Sequence, residues 1–252
     1  MTKRRKKSPV EPEYMEPAMC STDLRREILQ RVPFFAMLPP NAIEQINLRF
    51  RERGFTEGEP IFYAGAPAAR LYVVATGKVK LMRHTQAGQD VLLDILTAGE
   101  FFGSLSLLGN EVYPDSAIAQ TIVCALSVGA EAFRAILVDY PAVALAVLDI
   151  TAARLREAHE AIRQISAHSV EQRIAYTLLK LAEKLGEPRE EGLLIQMPLS
   201  REDLANMAGS TTESASRIVS QFQREGLIVT GRQWIAITDQ GRLRELASAG
   251  AD

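Results

Sequence analysis

Three side chains, Glu213, Ser216 and Arg217, have the chemistry and the spacing to read the edge of a base pair. A guanidinium offers two parallel N–H donors to the O6 and N7 of a guanine, and a carboxylate accepts from a cytosine amino group. Ser216 is small enough to permit close approach. Glu213 and Arg217 stand four apart, so on a helix they can also brace each other across one turn. The same spacing fits an amphipathic core helix with a solvated Glu–Arg pair, and the neighbouring elements decide between the two.

Those elements are written between Leu199 and Gly226. Ser200 is a good N-cap, and Asp203 sits where a capping-box carboxylate reaches back. Leu204, Ala205 and Ala208 form a small apolar stripe at helical spacing. Gly209 stops that helix, since glycine takes the left-handed conformation without a steric penalty. Ser210, Thr211 or Thr212 caps a second helix, with Ala215, Ile218, Val219 and Phe222 facing inward and Gly226 ending it. Helix, tight turn, helix is the helix-turn-helix, whose second helix enters the DNA major groove. Leu227–Val229 and Trp234–Ile237 are short β-prone runs flanking Gly231, Arg232 and Gln233, which predicts a hairpin wing with Arg232 placed to touch phosphate.

This segment, opening on Ser200-Arg201 and carrying Glu213-x-x-Ser216-Arg217, resembles the DNA-reading region of the Crp/Fnr superfamily of bacterial transcription regulators. The resemblance runs from about Leu24 to Ala247. The Glu-x-x-Ser-Arg arrangement is similar to the fumarate–nitrate-regulator branch, which implies TTGAT-type half-sites. The cyclic-AMP branch has Arg before the Glu and Gly before the last Arg, where this chain has Thr212 and Ser216.

Composition is that of a globular chain: 252 residues, 47% hydrophobic, 24% charged. That length leaves room for one large or two modest domains. No apolar run approaches the roughly 18 residues of a membrane span, and the N-terminus lacks the apolar stretch of a secretory signal. Two cysteines build no disulfide framework. A cytoplasmic location without membrane attachment is expected. The net charge of −2 does not announce a nucleic-acid binder. A few positioned arginines, doubled in a dimer, must therefore carry the binding. Residues 1–20, with the run Lys3-Arg4-Arg5-Lys6-Lys7, read as a disordered basic tail.

From Phe50 the texture becomes strand and turn. Short strands at regular spacing with Gly/Pro turns predict a β-roll. The run Tyr72-Val73-Val74-x-x-Gly77-Lys78-Val79 and the turns that follow resemble a cyclic-nucleotide-binding roll. Its ligand cassette would be Gly99-Glu100-Phe101-Phe102-Gly103 onward to Ser116. The resemblance implies an effector pocket at Gly103, Ser104, Asp115, Ser116 and His159. Ser104 stands where the nucleotide binders carry a Glu for ribose, and Asp115 where they carry an Arg for the cyclic phosphate. A carboxylate facing phosphate in a partly buried pocket repels it, and no other arginine lies near it in the chain, so cyclic AMP is not expected as the effector. Cys124 lies in a segment resembling one that carries a cluster ligand in iron–sulfur members. The clustered N-terminal cysteines of those members are absent, so a four-iron cluster, which takes four thiolates, is not expected. Cys124 reads as a small core residue, and Cys20 as an exposed, incidental thiol beside the tail, with a redox or mixed-disulfide site as the alternative. Haem stays open as a cofactor, no metal site is expected, and His84 and His168 read as exposed.

Pro141 suits the first turn of a long helix reaching about Ser166. Leu148, Leu155 and Ile162 recur every seven residues, with Thr151, Ala158 and Ile165 three places later, which is the seam of a parallel dimer. The reading is thus α+β: a double-stranded β-roll of jelly-roll type (residues 24–138), a dimerisation helix (139–166) and a winged helix-turn-helix (168–248). It predicts a homodimeric regulator on an inverted-repeat operator of double-stranded DNA, with RNA polymerase implied as a partner. Its signal would be an effector or redox cue other than cyclic AMP. An effector-independent member controlled by abundance, and a β-roll protein that never meets DNA, are the alternatives. No Ser/His/Asp set, metal-ligand cluster or P-loop suggests an enzyme.

Overall fold

A computed structural model describes residues 20–84, 90–104, 111–190, 192–197, 199–231 and 234–248. The expected tail lies outside them except for Cys20. The chain divides into two compact units at residues 157/158.

In the first unit, Ser21 caps helix α1 (Thr22–Arg31), its side chain accepting from the Leu24 amide. Pro40 opens α2 (Pro40–Asn47), a position where a missing N–H costs nothing. Eight strands follow: β1 (Arg51–Phe55), β2 (Pro60–Phe62), β3 (Arg70–Thr76), β4 (Val79–His84), β5 (Asp90–Leu96), β6 (Phe101–Gly103), β7 (Ser116–Ala119) and β8 (Val123–Gly129). They form two antiparallel four-stranded sheets, ordered β1-β8-β3-β6 and β2-β7-β4-β5. Helices α3 (Ala130–Asp139) and α4 (Pro141–Ala167) complete the run.

Strand period explains how one sheet serves two cores. Val74, Val123 and Ala125 turn inward to Phe55, Phe62, Leu96 and Phe102. Leu71, Val73, Leu126 and Val128 turn the other way, into a cluster with Ile28 and Leu29 of α1, Ile46 of α2, Phe133 of α3 and Val143 of α4. With both faces covered, β8 is buried at six successive positions. It reads as a continuous apolar run rather than an alternating one.

Cys20 and Cys124 belong to that second cluster and are joined by a disulfide, Cα to Cα 6.5 Å. This corrects the expectation of an exposed thiol and a separate core cysteine. Cys20 is buried, because it is drawn under the start of α1.

In the second unit the Ser169–Gln172 capping box starts α5 (Val170–Leu185). Strand β9 (Gly186–Arg189) and β10 (Gly192–Gln196) follow, then α6 (Arg201–Met207), α7 (Thr212–Arg224), β11 (Ile228–Gly231), β12 (Trp234–Ile237) and α8 (Gln240–Ser248). The sheet is antiparallel, ordered β11-β12-β10-β9. The polar stretch after Gly186 forms a strand. It lies at the sheet edge, where Pro188 and exposed Glu187 and Arg189 are tolerated.

Candidate nucleic-acid interface and sensor pocket

The helix-turn-helix is built as its residue types require. Ser200 Oγ accepts from the Asp203 amide and Asp203 accepts from the Ser200 amide, both at 2.9 Å, closing the box that starts α6. Gly209 has φ +57°, and the Ser210 amide folds back to the Ala205 carbonyl at 2.8 Å. Of the three candidate caps for α7 the cap is Thr211, whose hydroxyl accepts from the Ser214 amide. Ala215, Ile218, Val219 and Phe222 are buried as expected.

The opposite face holds the predicted readers. Thr212, Glu213 and Arg217 are exposed and Ser216 is half-buried. Glu213 and Arg217 do not brace each other: among the described residues neither has a hydrogen-bond or ion-pair partner. The flanks of α7 are tied instead. Gln221 donates to Glu171 of α5 at 2.9 Å, and Gln223 donates to Thr230 of β11 at 2.7 Å. The helix is therefore fixed from behind with its charged heads free, the preorganisation a reading surface needs. Sequence reasoning missed both glutamines. The signal was their place on either side of the buried Phe222, where neither glutamine had an assigned task.

Exposed Ser200 and half-buried Arg201 open α6. Burial lowers the Arg201 pKa, and no acid offsets it. Among the described residues its guanidinium has no hydrogen-bond or ion-pair partner, which leaves it available to an anion. Arg232 lies outside the described residues, between β11 and β12.

In the β-roll, Gly103 has φ +89°, and a Cβ there would meet the Arg70 carbonyl oxygen at 2.9 Å. Ser104 is buried beside it, and residues 105–110 of the cassette lie outside the described residues. Ser116 is buried and accepts from the Ala64 amide at 2.9 Å. Tyr113 is clamped by Arg70, accepting from its amide and donating to its carbonyl, both at 2.9 Å, and burial pushes its phenol up to about 12.

Asp115 is paired with Arg83 of β4, Nε to Oδ1 2.7 Å. That corrects the expectation that no arginine reaches this place. The two positions are 32 apart in sequence, but β4 pairs with β7 in a register that sets Met82 opposite Ser116. His159 is exposed on α4, beyond the division at residue 157. A further contact was missed: Arg154 of α4 donates to the Phe101 carbonyl at 2.9 Å and lies 3.9 Å over the Phe101 ring, fastening the long helix to β6. Among the described residues no group of three or more His, Cys, Asp or Glu could hold a metal ion. Both cysteines are bonded to each other, so neither is free as a thiolate ligand.

Along α4, Leu148, Leu155 and Ile162 are exposed, as are Leu145, Thr151 and Ala158. The Thr151 hydroxyl donates to the Val147 carbonyl at 2.7 Å, which leaves its methyl to any partner. The predicted seam is thus an uncovered apolar stripe. Ile165 lies on the same helix, its side chain outside the described set.

Residues 52–140 match the family model of the cyclic nucleotide-binding domain, and residues 172–246 match the Crp-like helix-turn-helix domain. A "CRP-like cAMP-activated global transcriptional regulator" of Mycobacterium tuberculosis is 30% identical over 221 residues, 88% of this chain and 99% of that protein. A "Cyclic AMP receptor protein" of Thermus thermophilus is 33% identical over 215 residues, 85% of this chain and 96% of that protein. The structure of FixK2 from Bradyrhizobium japonicum shares the fold, with a TM-score of 0.71 at 24% identity over 80% of this chain and 98% of that one.

Proposed function

The chain belongs to the Crp/Fnr superfamily of DNA-binding transcription regulators, and from that premise we propose that it reads an inverted-repeat operator as a homodimer. It is a regulator and not an enzyme. The single observation that carries the proposal is the free Glu213/Arg217 face on a helix tied down from behind. Arg217 addresses a guanine and Glu213 a cytosine amino group, with Ser216 and Thr212 at the approach, in TTGAT-type half-sites. Ser200, Arg201 and Arg232 hold phosphate and set the register without reading sequence.

Two such helices reach successive major grooves only if the subunits pair. The stripe Leu148, Thr151, Leu155, Ala158, Ile162 and Ile165 supplies the interface. Double-stranded DNA is then the first partner and RNA polymerase the second. No single described helix is long and apolar enough to cross a membrane, and the cytoplasm is the compartment where such a regulator meets DNA.

For the signal, we read an input other than cyclic AMP, because the place where the resemblance puts a phosphate-binding Arg holds Asp115, a carboxylate, whose partner is Arg83. A second reading is favoured by the same pair: a cyclic phosphate could displace Asp115 and take the Arg83 guanidinium, in line with the names of the two relatives above. Calorimetric titration with cyclic AMP, on the native chain and on Arg83→Ala, decides it. No heat with either protein supports the first reading. Binding by the native chain that Arg83→Ala loses supports the second.

A further inference from the structure

The two cysteines of this chain are 104 residues apart in sequence and meet in one core cluster. Cys20 directly precedes Ser21, the cap of α1. Cys124 sits on β8, whose register places it opposite Gly54 of β1 and Thr76 of β3. The bond therefore ties the root of α1 to a central strand. The same cluster continues into Val143, Ala146, Val147 and Ile150, the inner face of the first turns of α4. Whatever loosens the start of α1 disturbs the bed on which the long helix lies.

We propose that Cys20 and Cys124 form a thiol–disulfide sensor whose state sets how firmly α1 and the first turns of α4 seat on β3 and β8. This rests on the reading of the chain as a DNA-binding regulator, because a protein working on DNA occupies a compartment that keeps thiols reduced. Disulfides found there are usually transient or redox-sensing rather than structural. The Cα separation of 6.5 Å falls in the range that a bond spans without backbone movement. No third cysteine exists to shuffle with the pair.

The oxidant is a low-molecular-weight disulfide. The Cys20 thiolate attacks one of its sulfurs, forming a mixed disulfide and releasing one small thiol. The Cys124 thiolate then attacks the Cys20 sulfur and releases the second. Both protein thiol protons end on the two departing thiols, the protein pair is oxidised and the small disulfide is reduced. A dithiol reductant runs the exchange backwards. Both cysteines are buried. Cys20 is the entry point, since it stands at the root of α1 beside exposed Ser21, Thr22 and Asp23, where fraying of one helix end uncovers it, while Cys124 lies on a strand between β1 and β3. When the bond opens, α1 is still held by Arg25, which donates to the Asn47 side chain and to the Asn47 and Phe50 carbonyls at 2.8–3.1 Å. The domain therefore loosens without unfolding, as a switch requires.

The full chain is equilibrated in glutathione buffers from oxidised to reduced. Free thiols, hydrogen exchange and affinity for an inverted-repeat duplex are then measured, with Cys20→Ala and Cys124→Ala as redox-blind controls. The expected result is reversible opening to two thiols and faster exchange on reduction in residues 22–31 and 143–150. Operator affinity should change by at least about fivefold, the low end of ordinary coupling, and neither variant should respond. A bond that stays closed in millimolar reduced glutathione overturns the proposal, as does unchanged exchange or equal affinity in both states. Failure to bind DNA in either state, with the exchange difference present, removes the DNA-binding reading and leaves the switch standing.

Discussion

The reader and the sensor treat their polar groups in opposite ways. On α7 the charged heads of Glu213 and Arg217 have no partners among the described residues, and side-chain bonds from Gln221 and Gln223 tie its flanks. In the β-roll the polar groups are engaged internally: Asp115 with Arg83, Tyr113 with Arg70, Ser116 with Ala64. A surface with vacant donors on a rigid support can bind without rearranging. Polar groups that already satisfy one another must exchange an internal bond before they can hold a ligand. The contrast suits a regulator in which reading is preformed and signalling is conditional, since a ligand shifts a state only through differential affinity.

The largest effect should come from breaking the pairing that doubles the reader. Leu148→Asp with Leu155→Asp should give monomers by analytical ultracentrifugation. Operator affinity should fall by about a hundredfold to ten-thousandfold, the range of lost effective concentration. A smaller effect tests the satisfied side. The Tyr113 phenol is raised by burial to about 12, against 10.0 unperturbed. A raised pKa means the unfolded state loses its proton first. Stability is then full below about pH 10 and falls as pH rises towards 12, by about 2 kcal/mol at 1.36 kcal/mol per unit. Tyr113→Phe should flatten that limb in denaturant titrations at high pH.

On the reading side, Arg217→Ala should cost about 1–3 kcal/mol per half-site and relax preference at one base pair. Arg217→Lys keeps the charge without the fork, and should retain non-specific binding only. Gln223→Ala removes a strut rather than a reader. About 0.5–1.5 kcal/mol of stability should go with its bond to Thr230, with base preference unchanged in a binding-site selection. The smallest effect is expected at Arg83, half-exposed beside Asp115: Arg83→Ala should change stability by less than about 1 kcal/mol.

The same comparison explains what the sequence disclosed. The reader is local: its caps, its Gly209 stop and its apolar face all lie within 28 residues of one another, so spacing alone predicted them. The heptad spacing on α4 is local too, and Leu148 and Leu155 are exposed along it. The sensor is assembled from distant strands. Arg83 meets Asp115 across a register between β4 and β7, and Cys20 meets Cys124 across 104 residues, neither of which a periodicity can announce. Strand β9 has no apolar alternation to announce it, because an edge strand can carry polar residues and a proline without losing its ladder.

The central claim is that a paired, preformed reader recognises two half-sites at once. The most direct test is anisotropy titration of the full chain on an inverted-repeat duplex and on the same duplex with one half-site scrambled, at fixed salt. The account predicts tight binding to the first and a loss of at least about tenfold on the second, with Arg217→Ala abolishing the difference. Equal affinity for both duplexes, or a difference that survives in Arg217→Ala, would contradict it.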